Sequence, residues 1–286
     1  MRSYVPDFPV VNPNSLDDAL DVMYSEDDVT PLAGGTDIMV YMESGDFPET
    51  TLLNLYALND VVREPELNGE LELGPLSTYS HTRQIEKVAN TYPMLATAAR
   101  EISVLALQSR ATWIGNIVNA SPAADGVPAL MAYDATVECT SQDGTREIPL
   151  HNFYNGYKDM EIRDDELITA VKMPIPDDDW EEYYRKVGTR RFQAISKTLL
   201  SGRIKLDDAR EIVDVRLVFA SVAPYTLRAT ETEELLRGRT LSPDLIDEAT
   251  DAIQDEINPI DDIRSNETYR RKVTSNLIQD FLSDYL

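Results

Sequence analysis

The stretch TWIGNIVNASPAADGVPALMAYDATV, Thr112 to Val137, carries Asn, Ser, Pro and Asp where a buried core segment would carry Leu and Val. Only after them does it open into an apolar run that reads as a helix. Gly115-Asn116 reads as a tight turn and Ser121-Pro122 as a second one, because Gly and Asn tolerate left-handed backbone and Pro fixes φ. A segment of this kind can present backbone N–H groups and short side-chain donors to a single ligand.

The flanks of this stretch set its context. Before it, YPMLATAAREIS (Tyr92–Ser103) is helical with Pro93 in the first turn. SHTRQIEKVA reads as a helix start capped by Ser80, and GELELGPLSTYS (Gly69–Ser80) alternates like a half-buried strand. After it, ATVECTSQDGTREIPL reads as a hairpin turning at Asp143-Gly144, and ELITAVKMPIP as a strand ended by prolines. At the N-terminal end, SLDDALDVM (Ser15–Met23) has helical apolar spacing behind a Ser15 cap. A strand to Ala33, a Gly34-Gly35 turn, a helical turn opened by Thr36 or Asp37, and the strand TTLLNL (Thr50–Leu55) follow. Together they fit a small α/β unit with parallel pairing. The acidic stretch from Asp177 to Glu182 marks a second boundary. Beyond it come three antiparallel strands, in WEEYYRKVG, SKTLLSGRIKL and EIVDVRLVFASV, and then helices at Thr230–Leu236, Ser242–Ile257 and Thr268–Leu282.

Composition excludes several function classes. The chain has 286 residues with 51 acidic against 26 basic side chains, a net charge of −25. The acids are spread along the whole chain, which argues against nucleic acid and anionic membranes as partners and fits a host with a high-salt cytoplasm or, as the alternative, an ordinary acidic protein. No apolar run is long enough to span a bilayer, and the N-terminus lacks the apolar core of a signal peptide, so a cytoplasmic location is expected. Cys139 is the only cysteine, which excludes internal disulfides and a cysteine-ligated cluster held by this chain alone. His81 and His151 are the only histidines, too few and too far apart for a zinc site. No triad or paired-carboxylate arrangement emerges, and both histidines read as structural.

Three motifs can carry chemistry. PLAGGTD (Pro31–Asp37) joins a strand end, two glycines and a hydroxyl, which makes a nest for a phosphate or simply a tight turn. Thr112 to Asp125 offers Thr112, Gly115, Asn116, Asn119, Ser121 and Asp125, either to a ligand or as a polar loop under a helix start. YRKVGTRRFQAISK (Tyr184–Lys197) gathers Lys186, Arg190, Arg191 and Lys197, which are surface cations or face an anionic cofactor. Residue patterns alone reach a two-part α+β protein with phosphate-binding loops.

Taken together, AGGTDIM (Ala33–Met39), ATWIGNIVNASPAADGVPALMAYDATV (Ala111–Val137), LHNFYNGYKDMEIRDDELITAVKMP (Leu150–Pro174) and YRKVGTRRFQAISK resemble the FAD-binding, medium subunit of the molybdenum hydroxylases. That family includes xanthine dehydrogenase and aerobic carbon monoxide dehydrogenase, and the resemblance covers essentially the whole chain. It implies an α+β fold: a vanillyl-alcohol-oxidase-type FAD domain over 1–176, with two α/β subdomains at about 1–55 and 56–176, then a C-terminal domain over 177–286 with a three-stranded antiparallel sheet and a helical bundle. It also implies an FAD site. A loop from Leu32 through Ala33, Gly34, Gly35, Thr36 and Asp37 wraps the pyrophosphate, and Ile38 lies near the isoalloxazine. Thr112, Gly115, Asn116 and Ser121 continue the pocket, with Asp125 near the ribityl or ring end. Leu167 or Ile168 packs on the flavin, and Lys186 sits at its N1–C2=O edge. The family's Thr-x-Gly-Gly-Asn reads Thr112-Trp113-Ile114-Gly115-Asn116 here, so position 114 cannot need positive φ.

The function the resemblance implies is electron transfer by an oxidoreductase subunit. A molybdopterin-binding large subunit and a [2Fe–2S] small subunit would be its partners, and FAD would pass electrons to an external acceptor. The alternative is a stand-alone FAD- or nucleotide-binding module without redox partners; a third reading is an assembly protein whose loops are vestigial.

Overall fold

Strands β1 (Val10–Val11), β2 (Val29–Leu32) and β3 (Thr51–Asn54) alternate with helices α1 (Leu16–Ser25) and α2 (Ile38–Ser44). β3 lies between β1 and β2 and runs parallel to both, and the helices supply the connections that parallel pairing requires. The Ser15 hydroxyl accepts the Asp18 N–H and starts α1, as its sequence implies. Ala19, Leu20, Leu53, Leu55 and Leu58 form the core of this unit. The computed structural model describes residues 7–286 except 178, 191 and 192.

A second unit follows: β4 (Glu66–Leu67), β5 (Glu70–Leu73), α3 (Tyr79–Gln84), α4 (Glu86–Thr91), α5 (Pro93–Glu101), α6 (Leu105–Gln108), α7 (Trp113–Val118), α8 (Val127–Ala132), β6 (Thr136–Ser141), β7 (Gly144–Pro149), β8 (Tyr154–Gly156), β9 (Asp159–Met160) and β10 (Leu167–Pro174). Its main sheet has the order β4-β5-β10-β6-β7, with antiparallel neighbours throughout. Apolar residues of the sheet's inner face, such as Leu71, Val137 and Val171, pack under helices bearing Leu95, Trp113 and Leu130.

Local readings change here. The alternation expected to continue to Ser80 stops at Leu73, because Gly74 lies against Val62: a Cβ on it would sit 2.2 Å from the Val62 carbonyl oxygen. Thr78, not Ser80, caps α3, its hydroxyl accepting the His81 N–H at 3.2 Å. The expected turn at Gly115-Asn116 is instead the interior of α7. Thr112 caps that helix, its Oγ1 accepting the Gly115 N–H at 3.0 Å. A Cβ at position 115 would lie 2.9 Å from that hydroxyl, so the glycine admits the cap rather than a reversal.

The last unit is a sheet of β11 (Trp180–Val187), β12 (Thr198–Leu206), β13 (Ile212–Ala220) and β14 (Leu227–Arg228), covered by α9 (Thr230–Leu236), α10 (Pro243–Glu256) and α11 (Glu267–Ser283). The three expected strands are joined by β14, whose two residues are too few to show alternation. Among the described residues, no helix is long and apolar enough to cross a membrane.

Arg270 of α11 is 3% exposed and ties this unit together, donating to the carbonyls of Lys197 and Ser221 and to Asp262. Burial pushes the Asp262 carboxyl up. The N–H groups of Arg264 and Ser265, with the guanidiniums of Arg264 and Arg270, outweigh this and hold it at about 2. A carboxyl held below its unfolded value stabilises the fold above that value and loses its contribution as pH falls through the folded one. Asp262→Asn should therefore cost about 1.5–3 kcal/mol in chemical denaturation near pH 7. The difference from wild type should shrink between about pH 4 and pH 2. A cost that persists unchanged at pH 2 would show that the charge is not what Arg270 needs.

Candidate functional site

β2 ends at Leu32, and the chain turns through Ala33 to Asp37 before α2 begins at Ile38. Gly34 faces backbone: a Cβ there would lie 2.1 Å from the Arg110 carbonyl oxygen and 3.1 Å from Ala111 Cα. Gly35 has φ +70°, a region that L side chains rarely adopt. Among the described residues, the N–H groups of Gly34, Gly35, Thr36 and Asp37 donate to no acceptor within the chain, so the loop presents a row of free donors.

Arg110 and Ala111 lead into the second loop, so the Gly34 contact sets one loop against the approach to the other. Residues 77–79 run antiparallel to 111–113. Tyr79 N–H donates to Ala111 O, Trp113 N–H to Ser77 O, and Thr78 pairs with Thr112. The Tyr79 and Trp113 rings meet edge-on at 4.6 Å, and the indole N–H donates to Thr82 Oγ1 at 2.7 Å. Tyr154 Oη holds the far end of α7 through Ile117 O at 3.0 Å. Asn116 Oδ1 accepts the Gly126 N–H at 3.2 Å and closes the loop back on its own helix. A Cβ on Gly126 would lie 2.9 Å from that oxygen and 3.2 Å from Tyr79 Oη.

The second loop also touches the last unit. Ser221 N–H donates to Pro122 O at 2.7 Å, and Tyr184 Oη donates to Asp125 O at 3.1 Å. Asp125 Oδ2 receives the Lys186 ammonium at 2.7 Å, and that ammonium also points to Glu101 O at 3.4 Å. The Lys186 side chain is 3% exposed. Asp125 Oδ1 is buried without a well-formed hydrogen bond among the described residues, the Ser196 hydroxyl being the group that helps hold its charge. Burial pushes the Asp125 carboxyl up and Lys186 opposes this, leaving it at about 6. Burial, then the Asp125 and Asp37 carboxylates, raise the Tyr79 phenol well above its ordinary value. One buried tyrosine thus feels a carboxylate from each loop.

The structure accordingly brings together Ala33 to Asp37, Thr112, Gly115, Asn116, Asp125 and Lys186. Ser121 makes a turn within its own loop, its hydroxyl accepting the Ala123 N–H. Leu167 and Ile168 are each 5% exposed and pack into two different cores. The expected cluster of cations disperses. Lys186 is buried against Asp125, Arg190 binds the Gln193 carbonyl, Lys197 lies over the Tyr269 ring, and Arg191 falls outside the described residues. Tyr79 has no motif to mark it; only its burial between the two loops identifies it.

Glycines that let two loops pack closely on the chain, the free N–H donors of the first loop and the buried Asp125 carboxylate and Lys186 ammonium of the second fit an anionic dinucleotide with a polar ring edge. Comparison with known proteins agrees. Residues 6–176 match the model of the FAD-binding domain in molybdopterin dehydrogenase, and residues 182–285 match that of the carbon monoxide dehydrogenase flavoprotein C-terminal domain. The chain is 29% identical over 276 residues to the glyceraldehyde dehydrogenase medium chain of Sulfolobus acidocaldarius, covering 96% of each chain. It is 25% identical to the carbon monoxide dehydrogenase medium chain of Afipia carboxidovorans, covering 95% of this chain and 94% of that one. Its fold matches a chain of reconstituted carbon monoxide dehydrogenase from Oligotropha carboxidovorans with a TM-score of 0.90 at 22% identity, over 97% of this chain and 96% of that one.

Proposed function

Since this chain belongs to the family of FAD-binding subunits of molybdopterin dehydrogenases, we propose that it is the electron-transfer flavoprotein of a molybdenum hydroxylase complex. FAD, when bound, supplies the redox chemistry, and the protein supplies binding, orientation and electrostatics. The Gly34–Asp37 loop offers its free N–H groups to the pyrophosphate. Thr112 fixes the start of α7, and Asn116 fixes its distance from Gly126, so the second loop keeps one shape. Lys186, buried and held by Asp125, is the cation assigned to the ring's N1–C2=O edge, with the second oxygen of that carboxylate beside it. Leu167 or Ile168 packs on the ring with the small surface that each leaves outside its own core.

The observation that carries this reading is the close packing of the Gly34 turn against Arg110 and Ala111, at the entry to the second loop, within a chain matched along both of its parts. The partners are a molybdopterin-binding large subunit and a [2Fe–2S] small subunit, and electrons leave to an external acceptor. Affinity purification of the full chain from its host tests this. Co-elution with molybdenum and iron supports it; a lone yellow or colourless protein favours the stand-alone binding module.

The host is proposed to keep a salt-rich cytoplasm, because a net charge of −25 opposes compaction unless it is screened. The Debye length falls from ~10 Å at 0.1 M to ~3 Å at 1 M salt. The melting temperature should therefore rise steadily with KCl from low to molar concentration. A flat or falling series would remove the halophilic assignment.

A further inference from the structure

Lys158 occupies the turn between β8 and β9 with left-handed backbone, φ 55°. Its ammonium lies 5.0 Å from the centre of the Tyr41 ring and donates to Tyr41 Oη at 3.4 Å. Tyr41 belongs to α2, the helix that the Gly34–Asp37 loop feeds. The ammonium is near enough to that loop to oppose the rise that burial gives the Asp37 carboxyl.

Lys158 and Lys197 each rest on an aromatic ring, but the ring under Lys197 is Tyr269 of α11, whereas that under Lys158 is on the helix the Gly34–Asp37 loop feeds. Lys172, Lys186 and Lys205 each hold a carboxylate, at 2.6, 2.7 and 2.8 Å. Lys158 has no ion pair within 4.0 Å among the described residues and rests on an aromatic ring instead. In a chain with 51 acidic residues, a lysine held by a neutral phenol keeps its charge available. The neighbouring loop has the opposite need. Its N–H groups are dipoles without net charge, and Asp37 adds a negative charge that would repel an incoming pyrophosphate. Long lysine stems reach phosphates as point charges.

We infer that Lys158 is a binding residue for the pyrophosphate of the dinucleotide, its ammonium supplying the countercharge that the Gly34–Asp37 loop lacks. The inference rests on the flavin-site reading above and adds a residue to it. It calls for no movement of the fold, only of one exposed side chain.

The test uses the full-length, flavin-stripped chain titrated with FAD and with riboflavin, followed by quenching of flavin fluorescence. Riboflavin shares the ring and ribityl chain but carries no phosphate. Lys158→Met should weaken FAD binding by about 10-fold or more, leave riboflavin binding unchanged, and be rescued by Lys158→Arg. Lys272→Met, an equal charge loss at an exposed position on α11, should change neither. An FAD affinity for Lys158→Met within about twofold of wild type overturns the inference, as does an equal loss for riboflavin. If Gly34→Ala loses FAD while Lys158→Met keeps it, the flavin site stands and Lys158 is excluded from it. A wild-type chain that binds no FAD, alone or in its complex, overturns both.

Discussion

Gly34→Ala should weaken FAD binding by about 100-fold or more while leaving the C-terminal unit folded. The added methyl would sit 2.1 Å from the Arg110 carbonyl oxygen and 2.8 Å from its carbon, both backbone atoms that no rotamer change can move aside. The loop must retreat from the segment leading into the second loop, and its free N–H groups move with it. Gly35→Val acts differently. It has room, with only Leu32 Cδ1 at 3.4 Å, but a β-branched residue at φ +70° is strained. Its expected loss is smaller, roughly tenfold. The core around Leu200, Leu217 and Phe281 contains no residue of this loop, so far-UV circular dichroism and the melting of that unit serve as controls. Full flavin occupancy in both variants would show the turn to be structural only.

Asp125→Asn and Lys186→Met should move the flavin midpoint potential in opposite directions. Reduction adds negative charge at the ring's N1–C2=O edge, so a cation there stabilises the reduced form. A hydrogen bond to a charged group contributes about 1.5–3 kcal/mol, and for two electrons 1.4 kcal/mol is about 30 mV. Lys186→Met should lower the midpoint by at most roughly 30–60 mV. The ion pair makes this an upper bound. With Lys186 gone, only the weaker influence of the Ser196 hydroxyl opposes the burial that already lifts Asp125 to about 6, so the carboxyl takes up a proton and removes its own negative charge. Asp125→Asn removes the anion and leaves the cation, and should raise the midpoint by a similar amount.

Stability separates the pair from the flavin. Removing one partner of a buried ion pair costs about 3–5 kcal/mol, whereas replacing both is often neutral, so the double variant should be more stable than either single one. A carboxyl raised above its unfolded value weakens the fold above its folded pKa and stops doing so once protonated. The wild-type flavin-free chain should therefore gain stability on this group as pH falls from about 6 towards about 4, a slope absent in the double variant. Spectroelectrochemical titration decides the first point. Shifts of one sign, or none at full occupancy, would place Lys186 away from the ring.

Much of this architecture was legible in the residues. Alternation marked the strands of Ala135 to Pro149, and the cap at Ser15 marked a helix start. What escaped had physical causes. Gly115-Asn116 has turn chemistry, yet the hydroxyl three residues earlier decides the outcome by capping a helix there. Ser80 and Thr78 are equally good caps in sequence, and pairing of Thr78 with Thr112 chooses between them. Asp125 and Lys186 are separated by 61 positions, so their pairing depends on how the last unit docks. The same docking buries Lys186, which in sequence looks like part of an exposed basic run. Tyr79 is one aromatic among many until Trp113 and Gly126 of the second loop pack around it.

The most direct measurement is the flavin content of the purified protein, in its complex, before and after acid precipitation. With no Cys or His in either loop to tether a flavin, one FAD per chain is expected, all of it released into the supernatant. An assembled complex without flavin, or flavin that stays with the precipitated polypeptide, would contradict the account.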